Sequence, residues 1–220
     1  MSGPLPPARR IGARAVPARF IAAAAVAILI AGGCSDGRKA PATVPPSHRS
    51  ARSVFVVIGG RESSGDGLHD SLHTSWPQVV FSRRFGVGAV HVNLARNDTT
   101  VADALVQQLP LAVEQRPTIA TVWLGEGDDD VHMPPEQFGR DLRTLLGRLR
   151  RGGSTRVIVA SPPADAPGGQ YISQIAAAAQ SSGAEVVPLS AAAWDPRAPR
   201  TRREAVQAAA AAELGRAVKQ

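Results

Sequence analysis

The stretch Val54–Gly67, VFVVIGGRESSGDG, restricts the possible folds of this chain more than any other. Its first five residues are β-branched or aromatic with no polar residue among them, and the run stops at two glycines. A short uninterrupted apolar run suits a strand buried on both faces, the habit of parallel sheets. Parallel strands cannot be joined by a tight hairpin, so each needs a crossover, usually a helix. The chain should therefore alternate strand and helix. The glycines and small polar residues after Ile58 should form a loop at the carboxyl end of the strand, where open α/β sheets bind ligands.

The alternation is present from Ser53 onward. Strands are predicted at Val54–Ile58, Val87–Leu94, Thr118–Leu124, Arg156–Ala160 and Glu185–Leu189. Between them, Ser71–Arg84 reads as helical with an interruption near Trp76-Pro77, because Pro is tolerated only in a first turn. Thr99–Leu109 carries Val101, Leu105 and Leu109 on one stripe and should end at Pro110. The strongest helix has Phe138, Leu142, Leu145, Leu146 and Leu149 at helical spacing, with Pro134-Pro135 before it and Gly152-Gly153 after. Tyr171–Ser181 is a further helix. Thr201–Val218 is the last, with Thr201 and Glu204 in capping-box spacing and Val206, Ala210, Leu214 and Val218 as its buried stripe. Five strands so connected predict a flavodoxin-like three-layer α/β/α sandwich on a five-stranded parallel sheet. With 44% hydrophobic residues, the chain has enough apolar surface to fill such a core.

The first 52 residues read differently. Residues 1–19 are basic, Pro-rich and free of acids; then come the apolar run Phe20–Ile30 and Ala31-Gly32-Gly33-Cys34. A charged segment, a short apolar segment and small residues form the layout of an export signal. The apolar run falls short of the roughly 20 residues that span a bilayer. Small residues directly before the only cysteine resemble a bacterial lipobox, although Ala31 stands where Leu is usual. That resemblance implies a signal peptide over 1–33, cleavage before Cys34 and a lipid anchor on its thiol. Residues 34–52, Pro-rich and without apolar periodicity, read as a flexible tether. Residues 53–220 form the folded domain. A single cysteine permits neither an internal disulfide nor a cysteine-based metal site.

The formal charge of +7 does not point to nucleic acid. Four arginines (Arg9, Arg10, Arg14, Arg19) lie in the export segment, and without them 21 basic residues face 18 acidic ones. No basic patch is interleaved with aromatics. The glycine-rich first loop lacks both the dinucleotide and the P-loop patterns.

From Ser53 on, the chain resembles the SGNH (GDSL-type) hydrolases, which carry four short blocks at the carboxyl ends of their strands. The first block, Gly-Asp-Ser followed by Thr and Gly at fixed offsets, matches Gly59-Gly60-Arg61-Glu62-Ser63-Ser64-Gly65. Asp66-Gly67-Leu68 and Trp76-Pro77 are also family-like. The second block matches Val92–Thr100, and the third, Gly-x-Asn-Asp, matches Gly125-Glu126-Gly127-Asp128. The last, Asp-x-x-His followed by Pro, matches Asp195-Pro196-Arg197-Ala198-Pro199.

The resemblance implies that the nucleophilic Ser has become Arg61, which is always protonated and cannot attack a carbonyl. The oxyanion-hole Gly becomes Asp98, and the oxyanion-hole Asn becomes Gly127. The general base becomes Ala198, and only Asp195 of the chemical groups is retained. Asp98, Glu126, Asp128, Asp129 and Asp130 are expected near the place where an oxyanion would need donors. The expected ligand-pocket residues are Arg61, Glu62, Ser63, Asp98, Glu126, Asp128 and Asp195. Arg61 is expected to pair with Asp98 or Glu126.

The implied protein is an exported, lipid-anchored SGNH-like domain without hydrolytic chemistry, serving as a binding or accessory module for a glycan, lipid or protein at the cell envelope. It would need no cofactor. The alternative is an active esterase or acyl hydrolase with relocated residues, using Ser63 or Ser64 with His69 or His73. The acidic run Glu126–Asp130 reads as a solvated loop; its carboxylates could also take a divalent cation, but the spacing matches no EF-hand.

Overall fold

The computed structural model describes residues 52–151, 155–194 and 199–218. The expected signal, Cys34 and the tether up to residue 51 lie outside the described residues, as do Asp195 and Ala198.

Five strands form one sheet in the order β2-β1-β3-β4-β5: β1 is Val54–Gly59, β2 Val90–Asn93, β3 Ile119–Trp123, β4 Arg156–Ser161 and β5 Glu185–Pro188. All four pairings are parallel, with Phe55 opposite His91 on one side and Ile119 on the other. Successive side chains of a strand point to opposite faces, so each strand feeds two cores. Val56, Ile58, Ala120, Val122, Val157 and Val159 pack against a helical layer made of α4 (Val101–Asp103), α5 (Leu109–Glu114), α7 (Pro135–Arg150) and α8 (Ile172–Ser182). Phe55, Val57, Trp123, Ile158 and Ala160 pack on the opposite face against α3 (Trp76–Arg84) and α9 (Arg200–Ala217). All five apolar residues of the predicted α7 stripe are buried, and so are the four of α9. The three-layer sandwich follows.

Several element boundaries depart from the sequence expectation, each for a local reason. The second strand begins at Val90 rather than Val87. Gly88, at φ 89°, turns the chain first, and Val87 is fully exposed. The Ser71–Arg84 segment splits at Ser75 into α2 (Ser71–Thr74) and α3, with Pro77 in the first turn of α3.

Pro110 does not end its helix. Ala104–Gln108 forms a π-helical turn between α4 and α5, and the Leu109 amide bonds to Ala104 O, five residues back. The widened register lets the proline, which has no N–H to give, sit in the first turn of α5. The same widening rotates the buried face, so Ala104 and Gln108 are buried while Leu105 is only half-buried. The last helix starts at Arg200 with Pro199 as its N-cap residue, so Thr201 lies inside the helix and cannot cap it.

In this strand order the connection reverses direction between β1 and β3. Loops leaving their carboxyl ends run to opposite sides and open a crevice there. The sheet topology alone therefore places a site between the β1 and β3 ends.

Candidate functional site

The crevice is found where the topology puts it. It is lined by Gly60, Arg61 and Glu62 after β1, by Asp98 and Thr99 after β2, and by Trp123, Gly125, Glu126, Gly127 and Asp130 at the end of β3. The Gly60 amide donates to Trp123 O at 3.2 Å and the Arg96 amide to Gly59 O at 3.1 Å, tying the three loops together.

Arg61 opens α1, a single turn over Arg61–Ser64. Its guanidinium donates to Asp98 Oδ1 at 2.6 Å, and its side chain is about one-third exposed while that of Asp98 is 73% exposed. The Asp98 hydrogen bond, together with the charges of Glu126, Asp98 and Asp130, holds Arg61 even more firmly protonated than usual. An ion pair this accessible to water stabilises the fold by about 1 kcal/mol or less. Asp98 adopts φ 54°, the left-handed region that Asp tolerates better than most residues.

The space left beside this pair is small. The cleft encloses only about 10 Å³, near the least that holds one water molecule. Gly127 contributes no side chain and has no room for one, since an added Cβ would meet Thr99 O at 2.7 Å. The loop after β2 packs directly against the Gly127 backbone.

Two of the expected pocket residues do not line the cleft. Ser63 is fully buried, packed beneath Gly59, with its Oγ lacking a hydrogen-bond partner. Asp128 is also fully buried, pointing away from the crevice, because Glu126–Asp130 is not a solvated loop but a helical turn, α6. Asp128 Oδ1 accepts from the Val101 amide at 2.9 Å, satisfying a donor at the start of α4. Its other oxygen has no partner, and burial pushes its carboxyl up to about 6. Asp129 faces elsewhere, accepting from Gln170 Nε2 at 2.7 Å and from the Gly168 amide at 3.3 Å. Among the described residues, Asp98, Glu126 and Asp130 are thus the members of the expected acidic group that line the cleft, with Glu62 beside them.

The other candidate nucleophile, Ser64, is half-buried. Its Oγ lies 2.8 Å from both Arg61 O and Asn97 Oδ1. Two of the described histidines are engaged elsewhere. His73 faces Asp70 at 2.8 Å; His91 stacks between Phe55 and Phe81, where burial holds it below the ordinary histidine value. None of them hydrogen-bonds Ser63 or Ser64 among the described residues. Nor do three or more His, Asp or Glu side chains converge there as a metal site would require.

Two buried glutamines, neither anticipated from the sequence, hold the loops. Gln108, on the π turn, accepts from Gly59 N and donates to Gly59 O, both at 3.0 Å, and approaches Thr99 Oγ1 at 3.3 Å. It thereby fastens the end of β1 to the second-block loop. Gln207 on α9 accepts from the Trp76 amide at 2.7 Å and donates to Glu62 O at 3.0 Å. The available signal was a Gln falling beside an apolar stripe, where a purely surface residue would not be needed.

With this geometry in view, the comparisons with known proteins are consistent. The family model of the GDSL-like Lipase/Acylhydrolase family matches residues 60–214. Among curated protein sequences, none matches this chain significantly. Among solved structures, the psychrotrophic esterase EstA from Pseudoalteromonas sp. is similar at TM-score 0.59 and 15% identity, covering 74% of this chain and 97% of its own. Axe2, an acetylxylan esterase from Geobacillus stearothermophilus, is similar at TM-score 0.58 and 16% identity, covering 76% and 96%. LAE5, an alpha/beta hydrolase enzyme from the metagenome of Lake Arreo, Spain, is similar at TM-score 0.57 and 19% identity, covering 74% and 95%. At such identities the likeness is one of fold, and the family assignment rests on the family-model match over residues 60–214. This chain belongs to the GDSL-like lipase/acylhydrolase family.

Proposed function

We propose that this family member no longer hydrolyses esters and serves as a binding or accessory module at the cell envelope. The observation that carries the reading is Arg61, standing at the position of the family's nucleophile and ion-paired to Asp98 in a cleft of about 10 Å³. A guanidinium is neither a nucleophile nor a base, and the remaining space does not admit an acyl group. The relocated alternative lacks geometric support. Ser63 is inaccessible, and Ser64 has no imidazole to take its proton among the described residues.

A fluorophosphonate probe and short acyl esters test this directly. The expected result is no serine labelling and no turnover above background. Turnover that disappears in Ser64→Ala would establish the relocated esterase instead.

The envelope location is part of the same proposal and rests on the sequence pattern ending in Cys34. Among the described residues no helix is long and apolar enough to cross a membrane, and on this proposal attachment is through the lipid on the Cys34 thiol. Cys34→Ser is expected to abolish processing or release the protein from membranes. Unchanged membrane fractionation would sink the anchor.

A further inference from the structure

Beside the closed cleft, and sharing the α1 turn with it, lies a second and much larger depression. It is a trough of about 540 Å³, open to solvent, between the α1–α2 connection and the loop after β2. Its volume falls within the range of about 300–1,000 Å³ typical of small-molecule sites.

The lining is polar. Ser64, Asp66, Ser71, Arg96 and Asn97 contribute side chains, and Leu68 is the lone large apolar residue. Asn97 Oδ1 lies 2.8 Å from Ser64 Oγ, and the Asn97 amide hydrogens have no acceptor among the described residues. Arg96 gives one nitrogen to Gln107 Oε1 at 2.7 Å and keeps its other donors. The exposed Asp66 carboxylate makes no hydrogen bond among the described residues and supplies acceptors. Donors and acceptors of both charge signs therefore face one space.

The trough is also held in shape. Arg203 of α9 donates to Asp66 O at 2.9 Å, and the Asp66 amide to Ser64 Oγ at 3.2 Å. Gly65 and Gly67 turn the chain at φ 78° and 74°, conformations that favour glycine. A preformed site loses less entropy on binding than one that must order.

We propose that this trough binds a polyhydroxylated chain, an oligosaccharide, without chemically altering it. Each hydroxyl of such a ligand both donates and accepts, which matches a wall carrying carboxamide, guanidinium, hydroxyl and carboxylate groups. A lipid acyl chain would find only Leu68 to cover it. A purely anionic ligand would meet Asp66. The proposal rests on the non-hydrolytic reading above and identifies the ligand class within it.

The test is calorimetric titration of the detergent-solubilised full chain with xylotetraose, chitotetraose and maltotetraose, alongside phosphatidylglycerol vesicles and the ester assay. Expected is saturable binding of at least one oligosaccharide, weakened roughly three- to tenfold by Asn97→Ala and by Arg96→Ala, as loss of one hydrogen bond implies. Arg140→Ala, on the exposed face of α7, should leave it unchanged, and thermal melts would verify that all variants fold. Three results would each overturn the proposal: no saturable binding of any of the three sugars, affinity untouched by both trough variants, or binding to vesicles alone. Ester turnover would overturn the non-hydrolytic reading independently of the sugar titration, so the two failures are distinguishable.

Discussion

Gly127 and Thr99 are packed so closely that a Cβ on Gly127 would come within 2.7 Å of the Thr99 carbonyl oxygen. A backbone atom cannot swing aside as a side-chain tip can, so any side chain here forces the β2 and β3 loops apart. Gly127→Ala should destabilise the domain by about 1–3 kcal/mol, the usual cost of overpacking, read from urea denaturation. A neutral effect would mean that the loops separate freely and that the cleft is not held shut.

The same contact limits any attempt to restore hydrolysis. On the proposed reading, an Arg61→Ser/Ala198→His variant restores a hydroxyl nucleophile and an imidazole base but not the oxyanion donor. One missing donor alone costs about 10²- to 10³-fold in rate. Turnover of short acyl esters should therefore remain at least about a hundredfold below that of an intact family site, and adding Gly127→Asn should lower stability rather than rescue rate. Full rescue by the triple variant would show that Thr99 can move away.

Gln108 predicts a stability effect from an apparently conservative change. Gln108→Leu keeps the volume but leaves the buried Gly59 N–H, now bonded at 3.0 Å, without a partner and removes one of the two donors to the Gly59 C=O, which retains the Arg96 amide. The expected loss is about 2–4 kcal/mol, measurable by chemical denaturation. A loss below about 0.5 kcal/mol would mean that water replaces the side chain.

Asp128 predicts a pH dependence. Its folded carboxyl titrates at about 6, above the ordinary 3.8, because burial disfavours the charged form. A group raised in this way contributes its stability fully below the unfolded value and loses it as pH rises through the folded one. The difference of about two pH units corresponds to roughly 3 kcal/mol, lost between pH about 4 and 6. Asp128→Asn keeps an oxygen for the Val101 amide and removes the charge. Relative to wild type it should be more stable at pH 7 and should lack this downward slope. A variant less stable at neutral pH would show that the ionised carboxylate is satisfied in the native state.

Much of this architecture is legible in the sequence because it depends on local periodicity. The α7 stripe from Phe138 to Leu149 fixes which face is buried, and the short apolar runs require a parallel sheet with covered faces. The loop blocks carry the family likeness, from which the proposed reading takes Arg61 as the residue standing where a nucleophile would. These properties need only neighbours in the chain.

The tertiary structure decided what depends on the direction of a side chain relative to a distant segment. Nothing local shows that, within five consecutive residues from Glu126 to Asp130, the two end carboxylates line the cleft while Asp128 turns into the core to meet Val101, 27 positions away. A helical turn spreads its side chains over all directions, and only the packing partners choose among them. The same holds for Gln108, whose burial follows from the π turn that accommodates Pro110, and for Gly127, whose bareness is explained by a carbonyl from another loop. The sequence determined the fold and the family to which the chain belongs. Long-range packing decided which side chains line the cleft between β1 and β3.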